Sequence, residues 1–335
     1  MQLSFVPAAV FLLLVATCSP GFAEDATAPG ATNNPESFVE MFRDPHFQRG
    51  FQVQGPKPGK VVVVGKLAGL VEGEPAWSLA QWSSKYDLVT ATGEKLASGA
   101  LRYANAGKTL VTGLPGTAEA DLTLGVKAQA EYGDHARKKG EPWPHLLATQ
   151  RFELHPALKD LDKLVLSISV RLRESTLCKT EDYDSRIHAA QFVFYVTAQN
   201  LNRQSPGYGD YLYFGVPLYD DRYPHGTPKP FAAPDAAGKF IYTPPASVYT
   251  SETTHTGQWV TVTKDLLPLL LEGLNTAWAR GFLPASHDLS DYRVGGMNLG
   301  WEVPGVLNVR MQLRDLSLKA FPKPGVTLSP GPASG

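Results

Sequence analysis

The chain has 335 residues, 43% of them hydrophobic, with 31 basic against 32 acidic side chains and a net charge of −1. That is enough apolar material for a sizeable core. The balanced charge, without a long basic run, excludes a nucleic-acid surface, which needs a positive footprint. The 31 glycines and 27 prolines, with few long helical patterns, point to a turn-rich β protein.

The N-terminus reads as an export signal, residues 1–23. The run "FVPAAVFLLLVA" (Phe5 to Ala16) is apolar but too short to span a bilayer, and "GFA" ending at Ala23 has the small-residue form of a cleavage site. The expected product is secreted or periplasmic. Lipid anchoring at Cys18 is the lesser reading, because Thr17 is a poor residue before such a cysteine. No second membrane segment follows. Once Cys18 leaves with the signal, Cys178 is unpaired, so the core rather than disulfides must hold the domain. Residues 24–36 form a polar Pro/Gly linker, 37–322 one folded domain and 323–335 a flexible tail.

Within the domain strand signals dominate. "VVVVGKLAGL" and "ADLTLGVKAQAEY" are early strand candidates. "LVLSISVRL" sets Leu164, Leu166, Ile168, Val170 and Leu172 on one face, with Ser167, Ser169 and Arg171 on the other. "HAAQFVFYVTAQN" sets Phe192, Phe194 and Val196 against Gln191, Tyr195, Thr197 and Gln199. "DYLYFGVPLY" follows a turn-rich link, and "VLNVRMQL" alternates again. Half-buried strands of this kind make an all-β fold, an antiparallel β-sandwich. One helix is expected between Asp265, as cap, and Gly281, with Pro268 in its first turn. Its stripe of Leu267, Leu270, Leu271, Leu274 and Trp278 packs it on the outside of a sheet.

Standard signatures are absent: no GxSxG, P-loop, dinucleotide glycine fingerprint or HExxH. The eight histidines lack ligand spacing, so no metal or cofactor is expected. Adjacent Asp220 and Asp221 are the sole hint of a structural calcium. Six tryptophans and thirteen tyrosines stand beside polar residues in "WSLAQWSSKYD", "EPWPHLLATQ", "GYGDYLY" and "GWE". Flat rings stack on pyranose faces while amides and acids bond hydroxyls, so a saccharide groove competes with a plain core role. The candidate binding set is Trp301, Tyr211, Tyr213, Gln191, Tyr195, Gln199, Asn200, Asp221 and Arg222.

The C-terminal half resembles the β-jelly-roll glycoside hydrolases of family 12, endo-β-glucanases and xyloglucanases related to family 11 xylanases. "GDYLYFGVPL" stands where the family strand carries its nucleophile, the "DLLPLLLEGL" helix follows, and "GWEVPG" leads into the final strand. Gly300, Glu302 and Gly305 match the acid/base segment in kind and order, so the resemblance implies Glu302 as acid/base. At the nucleophile the chain departs: the family glutamate is replaced by Leu212, with Asp210 before the strand as partner and Asp220 or Asp221 as further acids.

A retaining hydrolase needs two carboxyls about 5–5.5 Å apart. Trp301, Val303 and Pro304, as apolar neighbours, would favour a neutral acid at Glu302 by desolvation. The opposing expectation is a structural pair with Arg293 or Arg222. Two alternatives stand beside hydrolysis of a β-linked polysaccharide or oligosaccharide. One is a jelly-roll lyase using Tyr and His, with His188, Gln191, Tyr195, Tyr219 and Arg222 as its candidates. The other is glycan binding without catalysis. Oligomeric state is not encoded in any pattern of the chain.

Overall fold

The structure, a computed structural model, describes residues 37–55, 61–117, 120–133, 135–178, 180–235 and 237–328. The expected export signal, the linker and Cys18 lie outside these residues.

The first half is built of short strands: β1 (Val39–Glu40), β2 (Phe51–Gln54), β3 (Val63–Leu67), β4 (Trp77–Ala80), β5 (Glu94–Lys95) and β6 (Leu101–Ala104). Then come β7 (Lys108–Thr112), β8 (Leu122–Lys127), a short helix α1 (Ala128–Tyr132) and β9 (His145–Arg151). The second half holds the longer strands β10 (Leu161–Leu177), β11 (Gln191–Asn200) and β12 (Tyr211–Asp220). They are followed by β13 (Phe231–Pro234), β14 (Phe240–Thr243), β15 (Val260–Asp265), helix α2 (Leu267–Ala279), β16 (Tyr292–Glu302) and β17 (Leu307–Pro322).

These strands form two sheets. An eight-stranded sheet runs β15-β10-β17-β8-β7-β6-β5, with β1 also on β17; a nine-stranded sheet runs β13-β14-β12-β11-β16-β9-β4-β2-β3. All pairings are antiparallel except β12 with β14 and β2 with β4. The molecule is therefore an all-β sandwich of jelly-roll type, with its alternating strands in two facing sheets.

The alternation decides which side chains meet between the sheets. On β11, Phe192, Phe194, Val196 and Ala198 are fully buried; on β10, so are Leu164, Leu166, Ile168 and Val170; on β17, Met311 and Leu313 join them. Residues of both sheets belong to one continuous apolar core, which supplies the main driving force for folding. Trp301 is part of it. Its ring packs 5.0 Å from Phe192 and 5.7 Å from Tyr219, and its indole N–H crosses to the other sheet to donate to the Leu124 carbonyl at 2.9 Å.

Three local expectations change. "VVVVGKLAGL" yields only β3, an edge strand with Val63 and Val64 exposed. "ADLTLGVKAQAEY" is half strand and half helix, because α1 begins at Ala128 and brings Glu131 and Tyr132 inward. The longer helix, α2, does not lie on the outside of one sheet. It contacts β10 of one sheet and β12, β13 and β14 of the other, so its stripe closes the open edge between them. Gly273 on α2 sits against Leu212 and Tyr242, where a Cβ would crowd the Tyr242 ring. Asp265 receives the Leu267 N–H at 3.1 Å and the Leu164 N–H at 2.9 Å, tying the start of α2 to β10.

Candidate active site

The residues left over by the core alternation form the outer face of the nine-stranded sheet. Glu302, at the end of β16, lies directly opposite Gln191 of β11 and His145 of β9. Gln191 in turn lies opposite Asp220 of β12. One row across four strands therefore reads Asp220, Gln191, Glu302, His145. Directly opposite residues on a sheet share a face, so the row is presented together.

Glu302 is the open member: its side chain is 24% exposed. The Trp143 indole N–H donates to Glu302 Oε2 at 3.2 Å, and His145 Nε2 lies 3.8 Å from the same oxygen. The His145 ring is 5.7 Å from both Trp143 and Trp82 and stacks on the former. His145 Nδ1 is buried without a hydrogen-bond partner among the described residues.

On the other flank stands Tyr195, whose ring is 6.0 Å from that of Tyr213, and Tyr213 is 4.9 Å from Tyr211. Gly215 of β12 makes room for this arrangement, since a Cβ there would strike the Tyr195 ring and Thr243. Burial first, and then the charge of Glu302, push the Tyr195 hydroxyl well above the usual phenol range; burial does the same to Tyr213. Both phenols are neutral hydrogen-bonding groups at any physiological pH. A carboxylate is thus set between phenols on one side and indoles with an imidazole on the other.

Close strand approach beside this site rests on backbone geometry at Gly300. Its φ of 151° is in a region that favours glycine, and a Cβ would overlap the Leu146 carbonyl of β9. The glycine lets β16 and β9 close up beside the Glu302 carboxyl.

Several expected residues are elsewhere. Trp301 is not a binding residue: strand parity sends it into the core, and it is Trp143, 159 positions away, whose indole meets Glu302. The apolar Val303 is likewise buried inward. Asp210 is not a partner acid. It precedes β12 at the end opposite Asp220, ten residues and about 30 Å along the strand from the Glu302 row. Asn200 is fully buried and donates to Ser205 Oγ at 2.7 Å, a turn-stabilising role.

Gln199 lies opposite Tyr211 and Arg293, also at the far end. Gln191, Tyr195, Tyr211 and Tyr213 do share the outer face. The structural pairing of Glu302 with arginine fails as well: Arg293 donates to the His155 carbonyl, and Arg222 forks Asp220 at 2.8 and 2.6 Å.

Asp220 is 2% exposed in its side chain, held by Arg222 and by Gln191 Nε2 at 2.8 Å. Asp221 belongs to a separate cavity, so the two adjacent acids do not join as a calcium site. Among the described residues no group of three or more His, Cys, Asp or Glu is placed to hold a metal ion. His188 is buried between Arg137 and Asp184, with Nε2 2.7 Å from the Arg137 carbonyl and Nδ1 accepting the Asp184 N–H at 2.8 Å. It cannot share a groove with Gln191 and Tyr195.

Trp143, His145 and Trp82 escaped the residue-by-residue reading, although "EPWPHLLATQ" and "WSLAQWSSKYD" contain them. Local pattern gave no signal for them: β9 is buried on both faces after His145, with Leu146, Leu147 and Ala148 all in the interior.

No family model matches the chain, and no curated protein matches it. Solved structures with a similar fold include the endoglucanase Cel12A from Rhodothermus marinus, at 12% identity over 69% of this chain and 96% of that one, with a TM-score of 0.36. The xyloglucanase domain of NopAA, a type three effector from Sinorhizobium fredii, in complex with cellobiose, covers 70% of this chain and 97% of its own at 9% identity, with a TM-score of 0.34. The family 11 xylanase from Neocallimastix patriciarum covers 68% and 94% at 10% identity, also at 0.34.

Proposed function

We propose that the chain handles a polysaccharide on the outer face of its nine-stranded sheet, as a glycoside hydrolase of β-linked glycans with Glu302 as proton donor. The observation that carries this reading is the partly exposed Glu302 carboxyl, held by the Trp143 indole and set beside His145 among stacking rings. Tyr195, Tyr213 and Trp82 offer faces for pyranose rings, and Gln191 offers an amide for hydroxyls. The second carboxylate is Asp220, two strands away across Gln191. Two cross-strand steps put the Cα atoms about 10 Å apart. The export signal read from residues 1–23 would place this chemistry outside the cytoplasm.

In this mechanism Glu302 gives its proton to the leaving glycosidic oxygen while Asp220 draws a proton from the attacking water. Glu302→Gln should abolish release of reducing ends while leaving glycan affinity within about twofold, measured by reducing-sugar assay and affinity electrophoresis. Asp220→Asn should be comparably inactive, and Asp210→Asn fully active. Unimpaired Glu302→Gln turnover rejects the assignment.

A second reading, glycan binding without turnover, is favoured by the burial of Asp220 and its engagement by Arg222 and Gln191. It predicts retention of polysaccharide by the wild type with no new reducing ends.

A further inference from the structure

We infer that the end of the sandwich holds a second ligand site, for an acidic saccharide, separate from the Glu302 groove. A cavity of about 860 Å3 lies where the last residues of β10 and β12 and the 183–186 segment converge. Its size is within the range of about 300–1,000 Å3 usual for ligand sites.

Its lining brings together guanidiniums from three separate segments, Arg173, Arg186 and Arg222, with the rings of Tyr183, Tyr219 and His255. The charges are not equivalent. Arg222 forks Asp220, and Arg186 forks Asp184. Glu174 faces Arg310 at 3.6 Å. Arg173 is left exposed, with no hydrogen-bond or ion-pair partner among the described residues. A free planar fork beside flat rings is suited to a carboxylate carried on a sugar ring, since guanidinium binds carboxylate in two parallel hydrogen bonds.

The wall of the cavity is fixed by bonds within the protein. The Tyr219 hydroxyl donates to Ser175 Oγ at 2.8 Å, and its ring lies 4.6 Å from His255. His255 Nε2 sits 3.0 Å from the Asp220 carbonyl, which fixes the imidazole in place. Asp221, also in the lining, has its carboxyl held above the ordinary value, first by burial.

The test is titration calorimetry of the full chain with trigalacturonate and with its fully methylated ester, which keeps the rings and removes the charge. The acid should bind, the ester at least about tenfold more weakly. Arg173→Ala, a change at an exposed side chain, should weaken the acid by at least about tenfold. Trp143→Ala, which removes the indole that meets Glu302 in the groove, should bind trigalacturonate as the wild type does, which separates this site from the groove. No binding by the wild type, equal binding of acid and ester, or an unchanged affinity in Arg173→Ala each overturns the proposal.

Discussion

Glu302 and Trp301 are neighbours in the chain and lie on opposite faces of one strand. A period of two residues sends the indole into the core and the carboxyl outward, so the indole that touches the carboxyl is Trp143. Trp143→Phe keeps a ring but removes the N–H donor; Trp143→Ala removes both. Glycan affinity should fall by about threefold in the first and about tenfold or more in the second, by affinity electrophoresis. Equal affinity in all three proteins would remove Trp143 from the site.

A different residue contributes to the pH dependence of stability in alkali. Lys108 is fully buried, with its ammonium bonded to Ser84 Oγ and the Tyr86 carbonyl and facing Glu131 at 3.6 Å. Burial, only partly offset by Glu131, lowers its pKa from the ordinary 10.5 to about 8. Between those values the unfolded chain holds more protons than the folded one, so this residue makes stability rise with pH across that window, by at most about 1.4 kcal/mol per unit. The stability of the wild type relative to Lys108→Met, from urea unfolding at pH 8 and 10, should grow accordingly. The buried tyrosines are common to both proteins and cancel. A flat difference would show that Lys108 titrates normally in the fold.

At the level of elements, the β11, β10 and β17 faces were legible in the chain because each alternates cleanly between core and surface residues. The helix was legible from its stripe and from Asp265, Pro268 and Gly281. Its location was not, because an apolar stripe specifies that a helix is covered, not by which sheet. Likewise "ADLTLGVKAQAEY" contains a strand-to-helix change that local pattern did not mark. Gly300 shows how one position can decide how two strands meet. Gly300→Ala places a Cβ at φ 151° against the Leu146 carbonyl. It should cost at least about 1–3 kcal/mol by urea unfolding. An unchanged midpoint would mean that β16 and β9 separate at no cost.

For the whole molecule, the core is continuous between the two sheets, and Trp301 joins them by packing and by its bond to Leu124. Trp301→Ala should therefore cost about 3–5 kcal/mol, the usual range for a buried tryptophan. The loss should appear as a lower unfolding midpoint by both far-UV circular dichroism and fluorescence. A change confined to the fluorescence midpoint would indicate that the sheets unfold separately.

The chain by itself determined the β class and the inward and outward faces of the long strands, because alternation is a local property; it left Glu302 open between a groove acid and a paired structural one. The tertiary structure alone decided which outward groups meet. Register sets Glu302 opposite Gln191, 111 positions before it, and His145, 157 positions before it. It also removed Asp210 from consideration, since a strand keeps its two ends far apart. Such proximities arise from pairing between distant segments, and no local periodicity records which strands become neighbours.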